Sequence, residues 1–157
     1  MRKLAFFAPL AATLAVAAMA QAQSRVTVTV APEFSRQVTK LGDREVNEQI
    51  ANLQSEVEKA LDQRYPGATA NLVLKDLKPN RPTFQQVSDT PGLDPIRSIS
   101  IGGASVEGEI VTADGERRPV NFSYFSPNLR DVWGYSVWRD ADRAFERLGA
   151  RIEQGRY

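Results

Sequence analysis

Five carboxylates carry whatever acid and base chemistry this sequence offers: Asp76, Asp89, Asp94, Glu107 and Glu109. Two such groups flanking one bond are enough for glycoside hydrolysis, one giving a proton while the other attacks or activates water. Asp76 closes an alternating apolar run, Asp89 and Asp94 lie in a proline-rich stretch, and Glu107 and Glu109 share one side of a strand-like segment. Acids on a strand beside a hairpin ordinarily face solvent, so a carboxylate-dependent hydrolase of envelope polysaccharide is the second reading and not the first. The three aspartates are also the only calcium candidates, yet no Asp-x-Asp-x-Asp-Gly loop surrounds them, and no metal site is expected. Histidine and cysteine are absent from the chain. That removes Ser-His-Asp and Cys-His nucleophiles, thiol redox chemistry and the usual zinc ligand sets. The run Ser100-Ile101-Gly102-Gly103-Ala104-Ser105 has the glycines of a phosphate loop but neither its Lys-Ser/Thr pair nor a following helix, so no nucleotide or other cofactor is expected.

Binding chemistry remains. One loop carries Arg130, Trp133 and Tyr135, and a second carries Arg81, Phe84 and Gln85, followed by Gln86. A guanidinium beside exposed aromatic faces stacks on sugars or docks a partner. Phe122, Tyr124 and Trp138 fall at positions expected to pack in the core. The other basic residues are interleaved with acids, as in Arg139-Asp140-Ala141-Asp142-Arg143, and read as solvated surface; a nucleic-acid partner is not expected.

The elements that must position these loops follow from periodicity. Arg25 to Val30 alternates valine with threonine, a pattern that suits a half-buried strand. Ala31 to Gly42 is a connection with a turn of helix around Phe34 to Thr39. From Asp43 to about Arg64, Val46, Ile50, Leu53, Val57 and Leu61 mark one face of a helix, capped by Asp43 and stopped by Pro66-Gly67. Ala70 to Leu77 is a second strand whose two faces are both expected to be covered. Lys78 to Pro95 contains Pro79, Pro82, Pro91 and Pro95, a density that admits at most one helical turn, capped by Thr83. Arg97 to Val111 reads as a strand with a bulge at Gly102-Gly103, where the apolar parity shifts from Ile99 and Ile101 to Val106 and Ile110. Asp114-Gly115 predicts a tight hairpin with both residues at positive φ, returning through Arg117 to Phe125. Ser136 caps a last helix carrying Trp138, Ala141, Phe145, Leu148 and Ile152 and ending at Gly155. The sum is an α+β two-layer sandwich: a four-stranded mixed sheet in the order β-α-β-loop-β-β-α, with two amphipathic helices on one face.

The compartment is written at the start of the chain. Arg2 and Lys3 precede the apolar run Leu4 to Ala18, and small residues follow at Ala18, Ala20 and Ala22. This order predicts a cleavable signal peptide over residues 1–22, cut after Ala20 or Ala22, leaving residues 23–157 as one soluble periplasmic domain without a membrane span. Cleavage would leave 18 basic against 19 acidic residues.

Leu74-Lys75-Asp76, Asn80-Arg81-Pro82-Thr83, Ser98 to Ala104 and Trp138-Arg139-Asp140-Ala141 together resemble small exported proteins of Gram-negative bacteria with no assigned function. In outline these are similar to envelope lipoproteins with a two-layer α+β domain, from which this chain departs in lacking the lipidated cysteine. The resemblance implies no catalytic residue. The leading expectation is thus a periplasmic, non-catalytic binding or envelope-associated accessory protein for an unknown envelope component or small ligand. A structural subunit of a homo-oligomer is a further alternative.

Overall fold

The computed structural model describes residues 25–157; the signal-peptide reading of residues 1–22 lies outside them. Four strands, β1 (Val26–Val30), β2 (Thr69–Lys78), β3 (Gly103–Val111) and β4 (Arg117–Phe125), form one open sheet in the order β1-β2-β3-β4. β1 and β2 are parallel, because the chain between them runs through α1 (Ser35–Leu41) and α2 (Asp43–Arg64) before returning; β3 and β4 add antiparallel. Two further helices, α3 (Phe84–Asp89) and α4 (Arg139–Glu153), complete an α+β sandwich of the expected class.

α2 and α4 pack side by side on one sheet face. Val46, Leu53, Val57 and Leu61 of α2 meet Phe145, Leu148 and Ile152 of α4 in one cluster with Leu72, Leu74, Val106, Ile110 and Phe122 of the sheet. Among the described residues nothing covers β2 from the other side, contrary to expectation: Asn71 is exposed and Val73 only half-buried. The misleading feature is Leu77, whose odd parity suggested a second buried face. A register shift between Leu74 and Asp76, which inserts Lys75 as an extra residue, brings Leu77 to the same side as Leu74.

That shift also relocates the bulge expected at Gly102-Gly103. β3 begins only at Gly103, and Ile99 and Ile101 lie outside the sheet with their side chains exposed. Gly103 has φ +148°, and a Cβ there would stand 2.1 Å from the Tyr124 carbonyl oxygen, so the strand starts where only glycine fits. The β3–β4 hairpin forms, but with a different turn. The Gly115 N–H donates to the Thr112 carbonyl at 2.9 Å, which makes Ala113 and Asp114 the central pair, and only Gly115 takes positive φ. This is a type I turn followed by a left-handed glycine.

The helix caps expected at Asp43 and Ser136 fall elsewhere. Gly42 occupies the cap position of α2 with Asp43 inside the first turn, and Trp138 occupies that of α4, with no side-chain cap from Ser136. Thr83 does cap α3: its Oγ1 accepts from the Gln86 N–H at 3.2 Å, while Gln86 Oε1 accepts from the Thr83 N–H at 3.0 Å. Among the described residues no helix is long and apolar enough to cross a membrane.

On α4, Asp142 faces α2 and accepts a hydrogen bond from Asn52 Nδ2 at 2.8 Å. Burial, more than the nearby Glu146 charge, pushes its carboxyl above the usual value of 3.8. A raised folded-state pKa means the folded state holds the proton more tightly, so this group's contribution is greatest at acid pH and is lost as pH rises through that pKa. Asp142→Asn retains an acceptor for Asn52 without the charge. The variant should melt about 1–3 °C higher at pH 7 and show no difference near pH 3, as thermal unfolding monitored by circular dichroism will establish.

Candidate functional site

Every loop that carries a predicted binding residue leaves the sheet at the same end. β2 ends there in Lys78, β3 begins there at Gly103, and β4 ends there in Phe125. The proline-rich segment and the segment after β4 are therefore neighbours in space, though about 50 residues apart in sequence.

Asn80 and Arg81 join them. Asn80 is buried, its N–H donates to the Val137 carbonyl at 2.7 Å, and its carbonyl accepts from the Ser100 N–H at 2.9 Å. Its side chain supplies what the start of α4 lacks. Oδ1 accepts the Asp140 backbone N–H at 2.8 Å, and Nδ2 donates to Asp140 Oδ2 at 2.5 Å and to the Ser100 carbonyl at 3.3 Å. A helix whose own cap residue is tryptophan is thus capped from another loop. Arg81, only 7% exposed, donates from Nε and Nη2 to the Gly134 carbonyl at 3.2 and 2.8 Å and from Nη1 to the Ile96 carbonyl. Its guanidinium carbon lies 5.1 Å from the Tyr135 ring centroid. Glu45 adds a third tie: Oε1 accepts from the Phe84 N–H at 2.8 Å and Oε2 from Trp138 Nε1 at 3.2 Å, which links the starts of α2, α3 and α4.

The structure sorts the six predicted binding residues by these ties. Arg81 is a buried clamp whose donors are already engaged by protein carbonyls. Phe84 (82% exposed) and Gln85 line a cavity of about 610 Å³ against the start of α2. Tyr135 (80% exposed) lies over Arg81, whereas Arg130 and Trp133 border a separate cavity of about 490 Å³ beside α4. A third cavity, of about 360 Å³, opens between Arg81, Gln86, Leu93 and Ile101. The exposed large apolar side chains among the described residues are Phe84, Ile96, Ile99, Ile101, Leu129, Trp133 and Tyr135, and all belong to this end. Sequence reasoning missed the three isoleucines, because two of them were assigned to a strand.

The five carboxylates are held by separate local partners. Asp76 pairs with Lys78 at 3.4 Å and Glu109 with Arg117 at 2.6 Å, Glu107 faces Lys75 at 3.8 Å, and Asp89 accepts from Gln85 Nε2 at 2.9 Å. Asp94 accepts the backbone N–H groups of Ile96 and Arg97 at 2.8 and 2.9 Å, and those donors hold its carboxyl below the usual range. Each acid is committed to a local partner, and none lines the three cavities just described.

No family model, curated protein or solved structure matches this chain.

Proposed function

We propose that the protein is an exported, non-catalytic binding or envelope-associated accessory protein that engages its partner through the loop end of the sandwich. The observation that carries this reading is the gathering of the exposed large apolar side chains at one end. Contiguous exposed apolar surface on a globular domain marks an interaction site. The ties made by Asn80, Arg81 and Glu45 support the same reading. They fix the loop backbones, so a partner meets a largely pre-formed surface and less ordering entropy opposes binding. The order of charged, apolar and small residues over 1–22 supports export.

Native mass spectrometry of the protein recovered from the periplasm tests the proposal. A bound species is expected, and the double variant Phe84→Ser/Tyr135→Ser should lose it while unfolding within about 0.5 kcal/mol of the parent, since both side chains are exposed. Recovery of the parent protein only at its bare mass, or only from the cytoplasm, would overturn it.

A further inference from the structure

Arg139, Arg143, Arg147 and Arg151 recur every fourth residue along α4. That spacing sets them in a slowly winding row on one side of the helix, ~6 Å apart along its axis and ~18 Å from first to last. The row faces the aromatic residues of β4 and the following loop. The Arg139 guanidinium carbon stands 3.2 Å from the Trp133 ring centroid, that of Arg147 4.0 Å from the Tyr124 centroid, and that of Arg151 5.1 Å from the Phe122 centroid. Arg143 Nη1 donates to Tyr124 Oη at 3.4 Å. Arg130 joins the row across the 490 Å³ cavity, which Tyr124, Pro127, Trp133 and one acid, Asp131, also border.

We infer that this ridge is a binding site for a linear polyanion, and specifically for a carboxylated sugar polymer of the polyuronate type. Arg139, Arg147 and Arg151 stand over aromatic rings, and Arg147 and Arg151 are exposed, so their guanidiniums are available to fork a carboxylate. Among the described residues no ion pair within 4.0 Å occupies Arg130, Arg139, Arg147 or Arg151, and the one ion pair of Arg143 is with Asp140 at 3.9 Å. Of the acids of α4, Asp140 is buried and Asp142 is hydrogen-bonded to Asn52 on α2, whereas Glu146 borders a cavity with Arg139 and Arg143 and offsets part of the charge at that end of the row. Among the described residues, setting these five arginines apart from the 18 Lys and Arg leaves 13 basic against 19 acidic residues. A chain of anions is thus attracted to one ridge and repelled by the rest of the surface, which disfavours a ligand as wide as a nucleic-acid duplex. Of these rings Trp133 is exposed, and such a ring suits the apolar face of a sugar. The choice of a sugar polymer over other polyanions rests on the proposed export; the polyanion site itself does not.

Isothermal titration of the purified protein with polygalacturonate, in parallel with dextran and with oligothymidylate of equal charge, tests the inference. Polygalacturonate should bind with an affinity that falls as salt rises, dextran should not bind, and oligothymidylate should bind more weakly than polygalacturonate. The variant Arg130→Gln/Arg147→Gln/Arg151→Gln removes exposed side chains only and should lose affinity by about tenfold or more, since the electrostatic share of polyanion binding scales with the cations engaged. Arg36→Gln/Lys40→Gln on α1 should leave it unchanged. Absence of polygalacturonate binding, equal binding of dextran, or an unaltered affinity in the triple variant would overturn the site. Tighter binding of oligothymidylate would overturn the sugar assignment while leaving the proposed export to be judged by the periplasmic recovery above.

Discussion

Replacing Asn80 with alanine should destabilise the fold by about 3 kcal/mol, the largest effect expected for any polar substitution among the described residues. The side chain makes three hydrogen bonds, to the Asp140 N–H, the Asp140 carboxyl and the Ser100 carbonyl, at a site that is 1% exposed. Alanine strips them all. The Asp140 side chain, which has no solvent exposure, would keep only Arg143 at 3.9 Å. Its Oδ1 already lacks a hydrogen-bond partner, so Oδ2 would become a second orphaned buried oxygen. Loss of the external cap adds about 1 kcal/mol at the start of α4. Asn80→Asp should be at least as damaging, because it sets one carboxyl against another and removes the donor. Urea unfolding of the parent and both variants decides the matter. A loss below about 1 kcal/mol in Asn80→Ala would mean that water replaces the side chain and that the cap is not structural.

Asn80 also illustrates what a sequence conceals. The stretch Asn80-Arg81-Pro82-Thr83 stands out among prolines, and Thr83 is legible as a cap because its partner is three residues away. Asn80 caps a helix 60 residues further on, a relation without local periodicity. The same distinction runs through the fold. α2 and β4 are local patterns and emerge where periodicity puts them, and the hairpin forms too, its turn centred one residue earlier than expected, on Ala113-Asp114. The bulge at Lys75 was misplaced to Gly102-Gly103 because a parity change in one strand and an exposed loop in the next leave the same trace in sequence. α4 adds a third case. Its arginines and acids alternate in the written sequence and look like mixed surface charge, yet one turn takes 3.6 residues, so a spacing of four gathers the arginines against β4 while Asp142 turns to α2. The signal was present, but its significance depended on which element lay beside the helix.

The second large effect is expected at Arg81. Arg81→Ala should cost about 2 kcal/mol, in the range for buried hydrogen bonds to a charged donor, and the loss should be local in its consequences. The guanidinium holds the Gly134 and Ile96 carbonyls from two different loops and carries Tyr135 on its face. Without it, no side-chain hydrogen bond among the described residues connects the 93–101 segment to the 129–136 segment, whereas the β2–β3 and β3–β4 ladders are untouched. Amide hydrogen exchange in the variant should therefore quicken around residues 96–100 and 132–136 while β2 and β3 keep their protection. Lysine should recover little of the loss, since an ammonium cannot reach both carbonyls in the plane that the guanidinium fork spans. The functional consequence follows from the same geometry. Phe84, Tyr135 and the exposed isoleucines contribute to binding only if their backbones are held in place beforehand, so Arg81→Ala should weaken partner binding at temperatures where the domain is still folded. If exchange instead quickens evenly over the whole domain, Arg81 supports global stability alone, and the pre-formed character of the loop surface must come from Asn80 and Glu45.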